Sequence, residues 1–228
     1  MKRLIRHWDV ILSMVLAAVF VLFPEIDLRV STLFYRPDEG FFWQDRPLPM
    51  LVFRYAPIFT NVFASGLGLL LLLGLMPRFS RLKRYRKHIA YLGLVLALGP
   101  GLMVNSLLKD HWGRARPSHI HEFGGEQIFT PAFFMSNQCR DNCSFVSGHA
   151  SLGFYYCALG FLSRCYRRFW FGMGIGLGTL VGAVRIIQGR HFLSDVVFSF
   201  FVVYFCAKLL HYLLFSRTSP IHRLSLAR

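Results

Sequence analysis

Charge is scarce in this chain, and acidic charge scarcer still: 16% of its 228 residues are charged, with 11 acidic residues against 26 basic ones. On a hydrophobic content of 54%, that excludes an ordinary soluble protein and points to one membrane-embedded domain spanning 1–228. Long-range repeats and low-complexity linkers are lacking, so no second domain is expected. Matched broken halves are lacking too, which argues against an inverted-repeat transporter. No zinc-finger, helix-turn-helix or RNA-binding pattern occurs, so the net charge of +15 is not read as nucleic-acid binding. Nor do Cys139, Cys143, His111, His119 and His121 recur at a metal-ligand spacing, and no metal or cofactor is expected.

What is present is a series of apolar runs with charge collected between them. They cover Val10 to Phe23, Leu51 to Met76, Ile89 to Leu108, Phe145 to Leu162, Phe169 to Ile187 and His191 to Phe215. Hydrocarbon offers the backbone no partners, so each run is read as a helix, giving an all-α polytopic protein with six transmembrane helices. The first run ends in Phe23-Pro24-Glu25 without a small-residue cleavage pattern and reads as an uncleaved anchor. Gly172, Gly174, Gly176, Gly178 and Gly182 in the fifth run read as a helix-packing stripe.

Basic residues set the orientation, because Lys and Arg are retained on the cytoplasmic side. With both termini inside, Lys2, Arg3 and Arg6, the loop Arg78 to Lys87, Arg164 to Arg168, Lys208 and the tail residues Arg217, Arg223 and Arg228 share the inner face. That side then carries 16 of the 26 basic residues against one acidic residue, Asp9. The outer side is neutral. Of its segments, Pro24 to Met50 suits an interfacial flap, and Lys109 to Ser144 is the longest and most polar. Cys139 and Cys143 lie in the latter, where a bridge and two free thiols both remain open. Trp43, Trp112 and Trp170 are read as interface anchors, and Trp8 as another on the inner side.

Four outer clusters, up to 86 positions apart, carry residues of one chemistry. Lys109 opens a Lys-x6-Arg-Pro pattern ending at Arg116-Pro117, Ser147-Gly148-His149 starts the fourth helix, Arg185 lies late in the fifth, and His191 to Asp195 opens the sixth. Phosphoryl transfer spreads negative charge over three oxygens, so Lys109, Arg116 and Arg185 are candidate phosphate-binding cations. Ser147 and Gly148 complete that anion cage. His191 and Asp195, at i and i+4, are read on one helix face, where the carboxylate holds one ring nitrogen and the other attacks phosphorus. His149 is the expected general acid for the departing oxygen. Arg114, Arg190 and His111 read equally well as interfacial charge or substrate contact, and Arg114→Ala is expected to be milder than His191→Ala. His119, His121, Glu122 and Glu126 are solvated loop residues.

These residues resemble the type-2 phosphatidic acid phosphatase superfamily, which also includes vanadium haloperoxidases. Its signature reads Lys-x6-Arg-Pro, Pro-Ser-Gly-His and Ser-Arg-x5-His-x3-Asp. Here Val146 replaces the leading Pro of the second part and Val184 the leading Ser of the third. Phe123-Gly124-Gly125, Phe129-Thr130-Pro131 and Cys139 to Ser151 look like bacterial lipid phosphatases related to the lipid A phosphatases. The resemblance implies a metal-independent hydrolase working through a phosphohistidine on a membrane lipid partner, in the bacterial inner membrane with its site facing the periplasm. Lipid A, at its 1- or 4′-phosphate, is the expected substrate. Undecaprenyl pyrophosphate, phosphatidylglycerophosphate, transfer to a second lipid, and lipid binding or transport without catalysis are the alternatives. The oligomeric state is not legible.

Overall fold

A computed structural model describes residues 7–76, 78 and 80–215. The terminal basic residues counted above (Lys2, Arg3, Arg6, Arg217, Arg223 and Arg228) lie outside them. Helix α1 (Trp8–Leu22) meets α2 (Glu25–Thr32) at a bend of 80°. Pro24 stands at that bend, with no N–H to continue the preceding turn. A hairpin of β1 (Tyr35–Arg36) and β2 (Gly40–Phe41), in the register Tyr35 to Phe41 and Arg36 to Gly40, follows. It is a small departure from an all-helical chain. Then come α3 (Pro47–Leu75), the single turn α4 (Ser80–Lys83) and α5 (Arg86–Leu96).

Helix α5 runs on without a break through a π-helical stretch, Ala97–Leu108, into the closing turn α6 (Lys109–His111). Pro100 explains the widening: it has no donor, and its ring crowds the carbonyl of the preceding turn. Asn105 Nδ2 donates to the Pro100 carbonyl at 2.8 Å and adds a side-chain bond within the widened stretch. After the long outer segment come α7 (Gly148–Phe154), α8 (Cys157–Leu162), α9 (Arg167–Ile187) and α10 (Leu193–Phe215).

Three described helices are long and apolar enough to cross a membrane: Arg86–His111, α9 and α10. The bent α1–α2 pair makes a fourth if it counts as one span. The apolar run Phe145 to Leu162 departs from a single helix. Its first three residues are not helical, since Ser144 N donates to the Arg114 carbonyl at 2.9 Å and Ser147 N to the Asp195 carbonyl at 3.1 Å. The helix also breaks at Tyr155–Tyr156, where the Tyr155 hydroxyl reaches the Leu92 carbonyl at 3.0 Å.

The packing stripe on α9 holds for three of its five glycines. A Cβ would lie 2.5 Å from Cys157 N at Gly174, 2.2 Å from the Phe154 ring at Gly178 and 2.3 Å from Val196 at Gly182, whereas Gly172 and Gly176 face open space. The three close contacts bring α7, α8 and α10 against α9. At the far end of α10, Lys208 and Tyr204 both reach the buried Asp9 carboxylate and tie α1 to α10. Trp112 departs from an interface anchor: its ring packs on Phe145 with centroids 4.9 Å apart, inside the cluster formed by Val104, Val146 and Phe198.

Candidate active site

The loop after α6 is shaped by backbone pairing. Ser136 N donates to the Trp112 carbonyl at 2.9 Å and Cys143 N to the Lys109 carbonyl at 3.2 Å, so the 136–144 strand of chain lies along 109–114. Gly113 makes this approach possible. Its φ is +69°, and a Cβ there would fall 1.6 Å from the Ser136 carbonyl oxygen. Cys139 and Cys143 are joined in a disulfide, with Cα atoms 5.6 Å apart, closing a short loop around Asn142.

The turn at Gly113 sends Arg114 inward. Arg114 is fully buried and is neither interfacial nor open to substrate. Its Nη1 donates to Asp195 Oδ1 at 2.6 Å and to Ser194 Oγ at 2.8 Å, its Nη2 to Asp27 Oδ2 at 2.8 Å, and its Nε to the Thr130 carbonyl at 2.8 Å. The guanidinium also lies over the Phe192 ring, 4.3 Å from its centroid. One arginine therefore holds two buried carboxylates, one from α2 and one from α10.

Two residues beyond Arg114 in sequence, Arg116 joins the lining of a polar cavity of about 250 Å³. It is lined by Lys109, Arg116, His149, Arg185, Arg190, Asn142, Gln188, Gln44, Asp45 and Met50. Four of the eight residues singled out in the sequence thus meet on one wall: Lys109, Arg116, His149 and Arg185. Lys109 Nζ donates to Asn142 Oδ1 at 2.8 Å, Arg116 Nη2 to the Asn142 carbonyl at 2.6 Å, and Arg185 Nη1 to Gln188 Oε1 at 2.7 Å. Burial, and Arg190 nearby, lower the Arg116 pKa; burial, Arg116 and Arg190 lower that of His119. Gly148 packs against the cradle, since a Cβ on it would stand 2.6 Å from Asn105 Oδ1 and 3.3 Å from Lys109 Nζ. Ser147 caps α7, its hydroxyl accepting from Ala150 N at 3.4 Å. A second, apolar groove of about 580 Å³ shares His149 with the polar cavity and is lined by Leu51, Val52, Tyr55, Phe59, Leu152, Tyr156 and Val181, among others.

His191 and Asp195 are both wholly buried and are not among the residues lining this cavity. The expected i, i+4 pair on one helix face is corrected in its details. Helix α10 starts at Leu193, because Asp195 Oδ2 accepts from Phe192 N at 2.8 Å and turns the chain there, leaving His191 in the preceding loop. The close partner of His191 Nδ1 is the Ser144 carbonyl at 2.8 Å, with Asp195 Oδ2 at 3.6 Å. A carbonyl oxygen only accepts, so Nδ1 carries the proton and Nε2 the lone pair in the neutral ring. Nε2 is buried and has no hydrogen-bond partner among the described residues. Burial pushes the His191 pKa down to about 4, with Asp195 pulling upward and Lys109 and Arg185 pushing further down. The Asp195 carboxylate is itself fixed by Arg114 and by Ser144 Oγ, which donates to Oδ2 at 2.6 Å.

Sequence reasoning missed Asp27, Asn142, Ser144 and the place of Arg114. Asp27, flanked by Glu25 and Arg29, carried no distinguishing signal, and only a short Cys-x3-Cys loop framing an Asn hinted at Asn142. Among the described residues, no group of three or more His, Cys, Asp or Glu could hold a metal ion.

The sequence pattern of the PAP2 superfamily matches residues 89–219. The chain is similar to a lipid A 4′-phosphatase of Francisella tularensis subsp. novicida, with 36% identity over 200 residues, covering 87% of this chain and 90% of that protein. A lipid A 4′-phosphatase of Rhizobium leguminosarum is 41% identical over 116 residues, 50% of this chain and 49% of its own. A lipid A 1-phosphatase of Rhizobium johnstonii is 33% identical over 122 residues, 52% and 46% of the two chains. No solved structure matches. With more than half its length under the family pattern and a relative aligned nearly end to end, this chain belongs to the PAP2 superfamily.

Proposed function

We propose that this protein is a lipid phosphatase that cleaves a phosphate monoester from lipid A, with the 4′-phosphate as the first choice. The observation that carries the reading is the position of His149, shared by a cation-lined cavity and an apolar groove. A phosphate ester of a lipid needs both surfaces to meet at the bond that breaks. The 4′-position is favoured because the relative aligned over 90% of its length carries that name, whereas the 1-phosphatase aligns over 46% of its own.

In this mechanism Lys109, Arg116 and Arg185 exchange their protein acceptors for phosphate oxygens and stabilise the charge that builds on them. The lone pair on His191 Nε2 attacks phosphorus, the bond from phosphorus to the lipid oxygen breaks, and His149 gives that oxygen a proton. The phosphorylated ring is cationic with its Nδ1–H on the Ser144 carbonyl, and the Asp195 carboxylate faces that charge. Water then attacks phosphorus while His149 takes its proton, and the bond to Nε2 breaks. Ser147 caps α7, and Gly148 leaves room for Lys109. Fixed cations fill the role that a metal ion has in other phosphatases.

The same reading assigns one domain with six crossings, α3 and the broken α7–α8 pair completing the set, and both termini in the cytoplasm. The site would then face the periplasm at the bacterial inner membrane. The Asp9–Lys208 contact joins two residues counted on the same face, as this arrangement requires. Phosphate release from lipid A, undecaprenyl pyrophosphate, phosphatidylglycerophosphate and phosphatidic acid, with and without chelator, tests it. Release from lipid A that chelator leaves untouched is expected. Binding of these lipids without phosphate release would refute it.

A further inference from the structure

Four cations line the polar cavity, and three of them have side-chain or backbone acceptors within the protein: Lys109 and Arg116 on Asn142, Arg185 on Gln188. The guanidinium of Arg190 has no hydrogen bond or ion pair among the described residues. Its placement is nevertheless built. Arg190 N donates to the Arg185 carbonyl at 3.0 Å, and the Gly189 carbonyl accepts from Ser118 N at 3.0 Å. Gly189 has φ +64°, and a Cβ on it would stand 2.4 Å from the Phe41 ring. The turn between α9 and α10 is therefore held from both sides, and its arginine is delivered to the cavity instead of trailing into solvent.

Size and charge both exceed what one phosphate needs. At about 30 Å³ for each water-sized atom, five phosphate heavy atoms fill roughly 150 Å³, leaving part of the 250 Å³ cavity open. Lys109, Arg116, Arg185 and Arg190 stand against Asp45 alone among the acidic lining residues. A phosphate monoester carries about −1.5 to −2 at neutral pH, so about one positive charge is left over. Arg116 and Arg190 both line this one cavity, so a single ligand can meet the two guanidinium groups.

We propose that Arg190 receives a second anionic group carried beside the scissile phosphate, so that the preferred head group presents two negative groups close together. This deepens the lipid-phosphatase reading and rests on it for the identity of the first group. The second group is either a phosphoryl or a carboxylate, which the same guanidinium would bind bidentately.

Calorimetric titration of the full chain in detergent with inorganic phosphate, pyrophosphate and phosphonoacetate separates these cases. Wild type is expected to bind at least one two-group probe tenfold or more tightly than phosphate. A gain for pyrophosphate alone assigns a phosphoryl, and a gain for both probes any second anion. Arg190→Gln is expected to bring the ratio below about threefold, and Arg190→Lys to keep most of it. A wild-type ratio near one, or Arg190→Gln weakening all three probes equally, overturns the proposal. Because no turnover is read, failure of the phosphatase reading would appear separately, as absence of phosphate release from every lipid.

Discussion

Replacing Arg114 by methionine keeps the length of the side chain and removes the one cation that Asp27 and Asp195 share. Both carboxylates are buried, at 2.8 and 2.6 Å from it. Removing one partner of a buried ion pair is strongly destabilising, by about 3–5 kcal/mol, because the remaining charge is left uncompensated. With two carboxylates orphaned, Arg114→Met should fall at the upper end, about 5 kcal/mol. At ~2–4 °C per kcal/mol, that lowers Tm by roughly 10–20 °C. Asp27→Asn keeps the Arg114–Asp195 pair and an amide oxygen for Nη2, and should cost only about 1–2 kcal/mol. Combining the two leaves a single orphaned carboxylate, so the losses should fall short of additivity by about 1–3 kcal/mol. Thermal unfolding in detergent, followed by tryptophan fluorescence on the wild type, both single variants and the double variant, reads all four corners. Arg114→Met within about 1 kcal/mol of wild type, or strictly additive losses, would refute the clamp.

His191→Ala should reduce phosphate release by at least about a thousandfold with the protein still inserted and folded, and failure to trap a labelled phosphoprotein in the wild type would count against the nucleophile. On α9, Gly178→Ala should lose about 1–3 kcal/mol by overpacking against Phe154. Gly176→Ala, facing open space, should be neutral or slightly stabilising; equal unfolding temperatures for the two would contradict the packing stripe. Cys139→Ser with Cys143→Ser should cost about 2 kcal/mol or less, given the short loop. It should also raise KM more than it lowers kcat, since Asn142 no longer holds Lys109 and Arg116 in register; a pure kcat effect would not fit.

Much of the cavity was legible because its residues are charged or polar types placed at the ends of apolar runs. Lys109, Arg116, His149 and Arg185 stand out for their expense near hydrocarbon, and each falls in one of three short motifs. Long-range partners left no such trace. Arg114 has the composition of any interfacial arginine, and only folding brings Asp27 to it across 87 positions. The i, i+4 spacing of His191 and Asp195 suggested a helix face, but the Asp195 carboxylate takes Phe192 N and starts the helix two residues late. Apolar content located the runs well enough for α9 and α10. It carried no sign that Ser144 and Ser147 would give their backbone donors to distant carbonyls and shorten α7.

The 80° elbow at Pro24 reaches beyond the shape of the N-terminal pair. It swings Asp27 into a buried polar cluster whose other members lie some ninety to one hundred and seventy positions downstream, whereas the family pattern begins only at residue 89. A chain trimmed to the recognisable core would retain every motif residue and still lose one of the two anions that lock Arg114. That guanidinium would then need another anion, so the first helix pair of this chain constrains how portable its core is.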